Sequence, residues 1–139
     1  MKKALLIVNM GGPSSLDEVK PYLKSIFDDP LILTVPGFIR KPLSTYIVSK
    51  RLEKVKARYT LIGGKSPLLG WTQKLEAGLK DCSAIGSDPN FDEISYAFRY
   101  SAPLIGESIG KLIASGMDEL YLLPLFLVRR LDVLQACLF

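Results

Sequence analysis

Leu5–Met10 is an apolar run of β type that stops at Gly11-Gly12-Pro13. A run without polar alternation reads as a strand buried on both faces, and such strands belong to parallel sheets. Two more runs of this kind follow, Ile94–Tyr100 and Leu120–Phe126. Ile94–Phe126 is strand–helix–strand, which predicts a right-handed parallel crossover. The expected fold is α/β: an open parallel sheet in which the three strands are neighbours and helices form the outer layers. No internal repeat is present, and 139 residues suffice for one compact domain.

Ser15 with Glu18 three residues on has the form of a capping box, which predicts a helix start there. Leu16, Val19, Leu23, Ile26 and Phe27 would form its apolar stripe, and Asp28-Asp29-Pro30 would stop it. Leu31–Pro42, with Pro36, Gly37 and Pro42, reads as an irregular or short-helical connection. It is apolar for a loop: either it packs on the core, or it is a mobile lip over a pocket or a membrane-facing edge. A second helix is predicted over Leu43–Tyr59, then a turn at Leu61–Pro67. A third helix would carry Trp71, Leu75, Leu79 and Cys82 on one face, with Trp71 and Cys82 as packing residues. Ser83–Asn90 reads as a surface loop. Ala102-Pro103 would open a helix whose apolar face holds Leu104, Ile105, Ser108, Ile109, Leu112 and Ile113, closed by Gly116.

Composition removes several function classes. Histidine is absent, so this chain offers no imidazole as base, proton shuttle or metal ligand. Cys82 and Cys137 form no CxxC pair, which argues against a zinc site or a disulfide framework and for a reducing, cytoplasmic setting. No apolar run reaches the ~18–20 residues of a membrane span. The net charge is +4, with basic residues crowded into Arg40–Lys65. That segment is either a solvated helix face or a site for carboxylates or phosphates; a nucleic-acid partner is not expected.

Ligands of open α/β sheets bind beyond the carboxyl ends of the strands. Those ends carry Met10-Gly11-Gly12, Arg99-Tyr100-Ser101 and Pro124-Leu125-Phe126, which are expected to converge. The double glycines lack the spacing of a dinucleotide or P-loop motif and suit tight turns or close approach of a flat ligand. An arginine ending a buried strand calls for an anion or a structural salt bridge, since unpaired burial is costly. Met10 offers a soft apolar wall or is plain core.

Four segments together resemble the ferrochelatase family: Leu5-Leu6-Ile7-Val8-Asn9-Met10-Gly11-Gly12-Pro13; Tyr59 with Ile62-Gly63-Gly64-Lys65-Ser66-Pro67-Leu68; Tyr96-Ala97-Phe98-Arg99-Tyr100 with Pro103; and Leu123-Pro124-Leu125-Phe126. They occur in the family's order and spacing. The resemblance implies a Rossmann-like, chelatase-like sheet, incomplete relative to the family's two halves. It implies ferrous iron insertion into a porphyrin to form haem, with iron as substrate and no organic cofactor. Met10 matches the residue facing the macrocycle, and Arg51 a propionate-contacting arginine. Arg58, Tyr59 and Ser66 match pocket-lining positions, and Arg99 and Tyr100 the pair near the metal. Leu31–Ile39 matches a lip above the porphyrin and is a candidate for peripheral membrane contact.

Lys65 stands where the family pattern has a third glycine. After Phe126 the family continues with a Pro-Gln-Tyr-Ser-type segment, whereas this chain reads Leu127-Val128-Arg129-Arg130. The expectation is an amino-terminal chelatase half-domain over 1–126 and a divergent tail over 127–139, as from a truncated or frameshifted copy. In the tail, Leu127, Leu131, Leu134 and Leu138 fall at helical spacing. The family's catalytic histidine would belong to a second half, so no catalytic and no metal-ligating residue is assigned here. The alternative is a porphyrin- or haem-binding module, or a half-subunit that needs a partner chain; a plain α/β domain without ligand is the third reading.

Overall fold

The computed structural model describes residues 1–84 and 91–126. Within them lie β1 (Lys3–Asn9), α1 (Val19–Asp28), α2 (Gly37–Leu61), α3 (Leu68–Ala84), β2 (Glu93–Phe98), α4 (Ile105–Ala114) and β3 (Glu119–Pro124). They divide into two compact units: residues 12–67, and residues 1–11 together with those from 68 onward. The proposed tail, and the part of the expected loop from 85 to 90, lie outside the described residues.

The second of these units is built on the sheet. Its order is β2-β1-β3, all parallel, so β1 is central and separates the two strands of the βαβ unit. Ile7 stands opposite both Tyr96 and Leu123. The apolar run of β1 has the composition it has because both its faces are covered. Ala4, Leu6 and Val8 pack with Ala97, Ile105 and Leu112, the last two from α4. Leu5 and Ile7 pack with Ile94 and, through half-buried Leu79, with α3. A helix layer on each face gives the three-layer arrangement, and each large apolar side chain so buried stabilises the fold by roughly 1.5–3 kcal/mol. Two aspartates pin the entry of the central strand: Asp118 Oδ2 accepts from Lys2 N at 2.8 Å and Asp92 Oδ2 from Lys3 N at 2.7 Å.

Several expectations are corrected. On α3, the inward side is Thr72 and Leu79, while Trp71 is 66% exposed and Cys82 is exposed. Leu79 keeps its expected place and the packing face is turned toward Thr72 by about 55°, where buried Thr72 bonds inward to Asn9 (3.4 Å). Helix α4 starts at Ile105, after a cis Ala102–Pro103 bond, and leaves Leu104 and Ile113 exposed. Gly116 closes it as expected, at φ 76°: its amide donates to Ile113 O (3.0 Å) and that of Met117 to Leu112 O (3.4 Å). β2 and β3 both end before their predicted ends, at Phe98 and Pro124.

The unit of residues 12–67 is a pair of helices. Val19 and Leu23 of α1 meet Val48 of α2, with Phe27, Leu52, Val55 and Tyr59 around them. The Ser15–Glu18 box does not open α1, which starts at Val19 without a side-chain cap; Glu18 instead reaches back to the amide of Ser14 (2.8 Å). Helix α2 begins at Gly37, six residues before its predicted start, and contains Pro42. Pro42 lies beyond the first turn of α2, where it forgoes the amide bond to the Phe38 carbonyl.

Candidate functional site

The parallel ladder continues past the strands. Arg99 N donates to Asn9 O at 3.0 Å, Tyr100 N to Met10 O at 3.1 Å, and Leu125 N to Val8 O at 2.9 Å. The carboxyl ends of β1, β2 and β3 therefore meet at one edge, as their parallel course demands. Met10, 37% exposed, and the half-buried Arg99 are presented there. Arg99 Nε donates to the Tyr100 hydroxyl at 3.1 Å, and its guanidinium carbon lies 5.5 Å from the Tyr100 ring centre. The ring is buried and the arginine is braced against it, an arrangement that sets a fixed cation beside an aromatic wall.

One residue of this edge, Asn9, was not singled out by sequence reasoning, whereas Gly11 was expected in a tight turn. Asn9 is buried, accepts from Met10 N through Oδ1 (2.9 Å) and donates through Nδ2 to Thr72. It orients the chain as it leaves the sheet, and its signal was a single amide in an otherwise apolar strand. Gly11 has φ 87°, and a Cβ there would collide with Ser101 Oγ and Phe98. Only glycine meets both demands.

Arg51, Arg58, Tyr59 and Ser66 belong to the helical unit. Arg51 and Arg58 are exposed on α2, Arg51 with its guanidinium carbon 5.7 Å from the Phe27 ring centre and Arg58 in the last turn. Among the described residues no carboxylate pairs with either. Tyr59 is half-buried against the α1–α2 core, and that burial raises its phenol pKa above the ordinary value. Its carbonyl accepts from Gly64 N at 2.8 Å, which ends the helix in a turn where Gly63 and Gly64 both have positive φ. Lys65 has no positive φ, so its side chain costs this turn no strain. Ser66 N then donates to Pro13 O at 2.8 Å, and the Ser66 side chain fills the space a Cβ on Gly12 would need.

The apolar Leu31–Ile39 segment is not packed as core. Leu31, Ile32, Phe38 and Ile39 are exposed, while Asp29 holds the Leu31 amide (2.8 Å) and Arg40 holds the carbonyls of Leu33 and Val35 (3.1 and 2.8 Å). Among the described residues, no cluster of three or more His, Cys, Asp or Glu could hold a metal ion, and no helix is long and apolar enough to cross a membrane.

The family model for ferrochelatase matches residues 2–128. Similar curated proteins include the ferrochelatases of Campylobacter concisus, 41% identical over 128 residues (91% of this chain, 38% of the relative), and Sulfurimonas denitrificans, 38% identical over 126 residues (90% and 38%). The ferrochelatase of Aquifex aeolicus is 36% identical over 126 residues, again 91% of this chain and 38% of the relative. The chain thus spans a little over a third of the length of these relatives. A match that runs from the first strand to just beyond the third takes in the whole glycine-bounded strand edge and the Gly63-Gly64 turn, and by it the chain belongs to the ferrochelatase family.

Proposed function

We propose that this chain supplies a porphyrin-binding portion of a ferrochelatase-type site, in which ferrous iron is inserted into a porphyrin. The observation that carries the reading is the fixed Met10–Arg99–Tyr100 edge within a chain of this family. Met10 supplies apolar surface for the flat macrocycle, and the buried Tyr100 braces the arginine at its side. Arg99 supplies a fixed cation beside the macrocycle. Arg51 and Arg58, on the helical unit, are assigned to the propionates by the resemblance alone. Tyr59 and Ser66 are assigned to the substrate pocket by the resemblance. Iron is substrate here, and no organic cofactor takes part.

Insertion breaks two pyrrole N–H bonds as the iron–nitrogen bonds form, and a base must accept both protons. This chain has no histidine to do so. We assign its own contribution to binding, and the family's histidine base to polypeptide outside these residues. That same count favours the second reading, a porphyrin-binding half-subunit that works with a partner chain. The setting is cytoplasmic, with exposed Leu31, Ile32, Phe38 and Ile39 touching a membrane surface peripherally.

Titration of porphyrin against the purified chain, followed by its main visible absorption band, tests the reading together with an anaerobic iron-insertion assay. A saturable band shift without metallated product is expected. Absence of saturable binding refutes the proposal, and turnover well above the uncatalysed rate refutes the assignment of binding alone.

A further inference from the structure

Helix α3 carries its most regular apolar stripe on the outside. Trp71, Leu75, Gly78 and Cys82 follow a spacing of four, three and four residues, the seam of a two-helix coiled coil. Trp71 is 66% and Leu75 37% exposed, and Cys82 is exposed. Gly78 sits in mid-helix, where glycine is unfavourable. A Cβ on it would meet nothing within 4 Å, so nothing in this chain's own packing requires glycine there.

We infer that this seam pairs, antiparallel, with α3 of a second copy of the chain. Antiparallel pairing sets Trp71 opposite Cys82 and Leu75 opposite Gly78 of the second copy, so that a large side chain meets a small one in every layer. Lys74 and Asp81 lie on one flank of the seam, seven residues apart. Among the described residues neither has an ion-pair partner; the Lys74 ammonium lies 4.9 Å from the Trp71 ring centre. In the antiparallel pair Lys74 of each copy faces Asp81 of the other, which gives two ion pairs. A parallel pair would oppose Trp71 to Trp71 and set Lys74 against Leu79 of the second copy, with no partner for its charge. The complementarity of size and of charge is thus of the seam with itself, which identifies the occupant as a second copy. The seam is only about 16 Å long, so the dimer is a weak one.

Sedimentation equilibrium of the full chain from about 10 µM to about 1 mM tests this, with tryptophan emission as a local readout, since Trp71 is the chain's single tryptophan. The mass is expected to rise from one to two chains with a matching blue shift. Gly78→Leu places its side chain in open space, so the helical circular dichroism is retained while association falls by about tenfold or more. Lys74→Asp and Asp81→Lys each weaken association, and mixing the two variants restores it as a heterodimer. A mass of one chain throughout overturns the inference. So does association that Gly78→Leu and the charge variants leave unchanged, because it would then run through another face. Failure of the mixture to recover overturns the antiparallel register.

Discussion

The amide of Tyr100 donates to the carbonyl of Met10 over 3.1 Å, two residues beyond the last ladder residue of β2 and one beyond that of β1. With Arg99 N bonded to Asn9 O, the exits of two strands are joined before either chain turns away. Arg99 therefore leaves a backbone held on both sides, and its guanidinium is braced by the Tyr100 hydroxyl. Little conformational entropy remains to be lost when an anionic or π-rich ligand arrives.

Porphyrin affinity should accordingly depend on Arg99, and on Arg51 through the propionates. A half-open site with one ring face in water should bind at about micromolar or weaker. Arg51→Ala with Arg99→Ala should weaken binding by about tenfold or more, a charge-assisted contact being worth ~1.5–3 kcal/mol. Raising salt should weaken the wild type more than the double variant, since Arg51 is exposed. Equal affinities in a spectroscopic titration remove these arginines from the site.

Gly11→Ala should destabilise the fold by about 2 kcal/mol or more, from the positive φ together with the collision at Ser101 and Phe98. Gly106→Ala is the control. Gly106 lies within α4 with open space around it, so alanine there should stabilise by roughly 0.5–1 kcal/mol. Thermal unfolding of the two variants should move Tm in opposite directions.

The sheet was legible because burial on both faces leaves one kind of sequence: Leu5–Val8 has no polar face, and the glycines after it mark the exit. Arg99-Tyr100 was legible because a cation ending such a strand needs a reason. Helix faces were less so. In α3 the spacing of Trp71, Leu75 and Cys82 pointed to the core, yet Thr72, a polar residue, is the one buried, because its hydroxyl serves Leu68 O and Asn9. Pro42 closed a segment read as an irregular connection, yet α2 begins at Gly37 and runs through it. Ser44 gave no signal, since its bond to the Lys24–Asp28 pair of α1 exists only once α1 and α2 pack.

That partnership makes the helix pair sensitive to acid. Lys24 Nζ lies 2.9 and 3.0 Å from the two Asp28 carboxylate oxygens, and the fully buried Ser44 hydroxyl donates to the same carboxylate. Partial burial alone would raise the Asp28 pKa. The Ser44 and Lys24 hydrogen bonds, with the charges of Lys24 and Lys41, outweigh it and hold the carboxyl below its ordinary value. A carboxyl depressed in the folded state contributes stability that is present above its unfolded pKa of about 4 and is lost as pH falls through the lower folded value. Asp28→Asn should therefore lower Tm near neutral pH, and the gap to wild type should narrow once pH falls below about 4. The effect is modest, because Asp28 and Lys24 are each more than a third exposed and solvent screens them. Thermal melts of both proteins from pH 7 down to about pH 2.5 decide it: a gap that stays constant over that range would mean that the shape of the Asp28 side chain, and not its charge, ties α1 to α2.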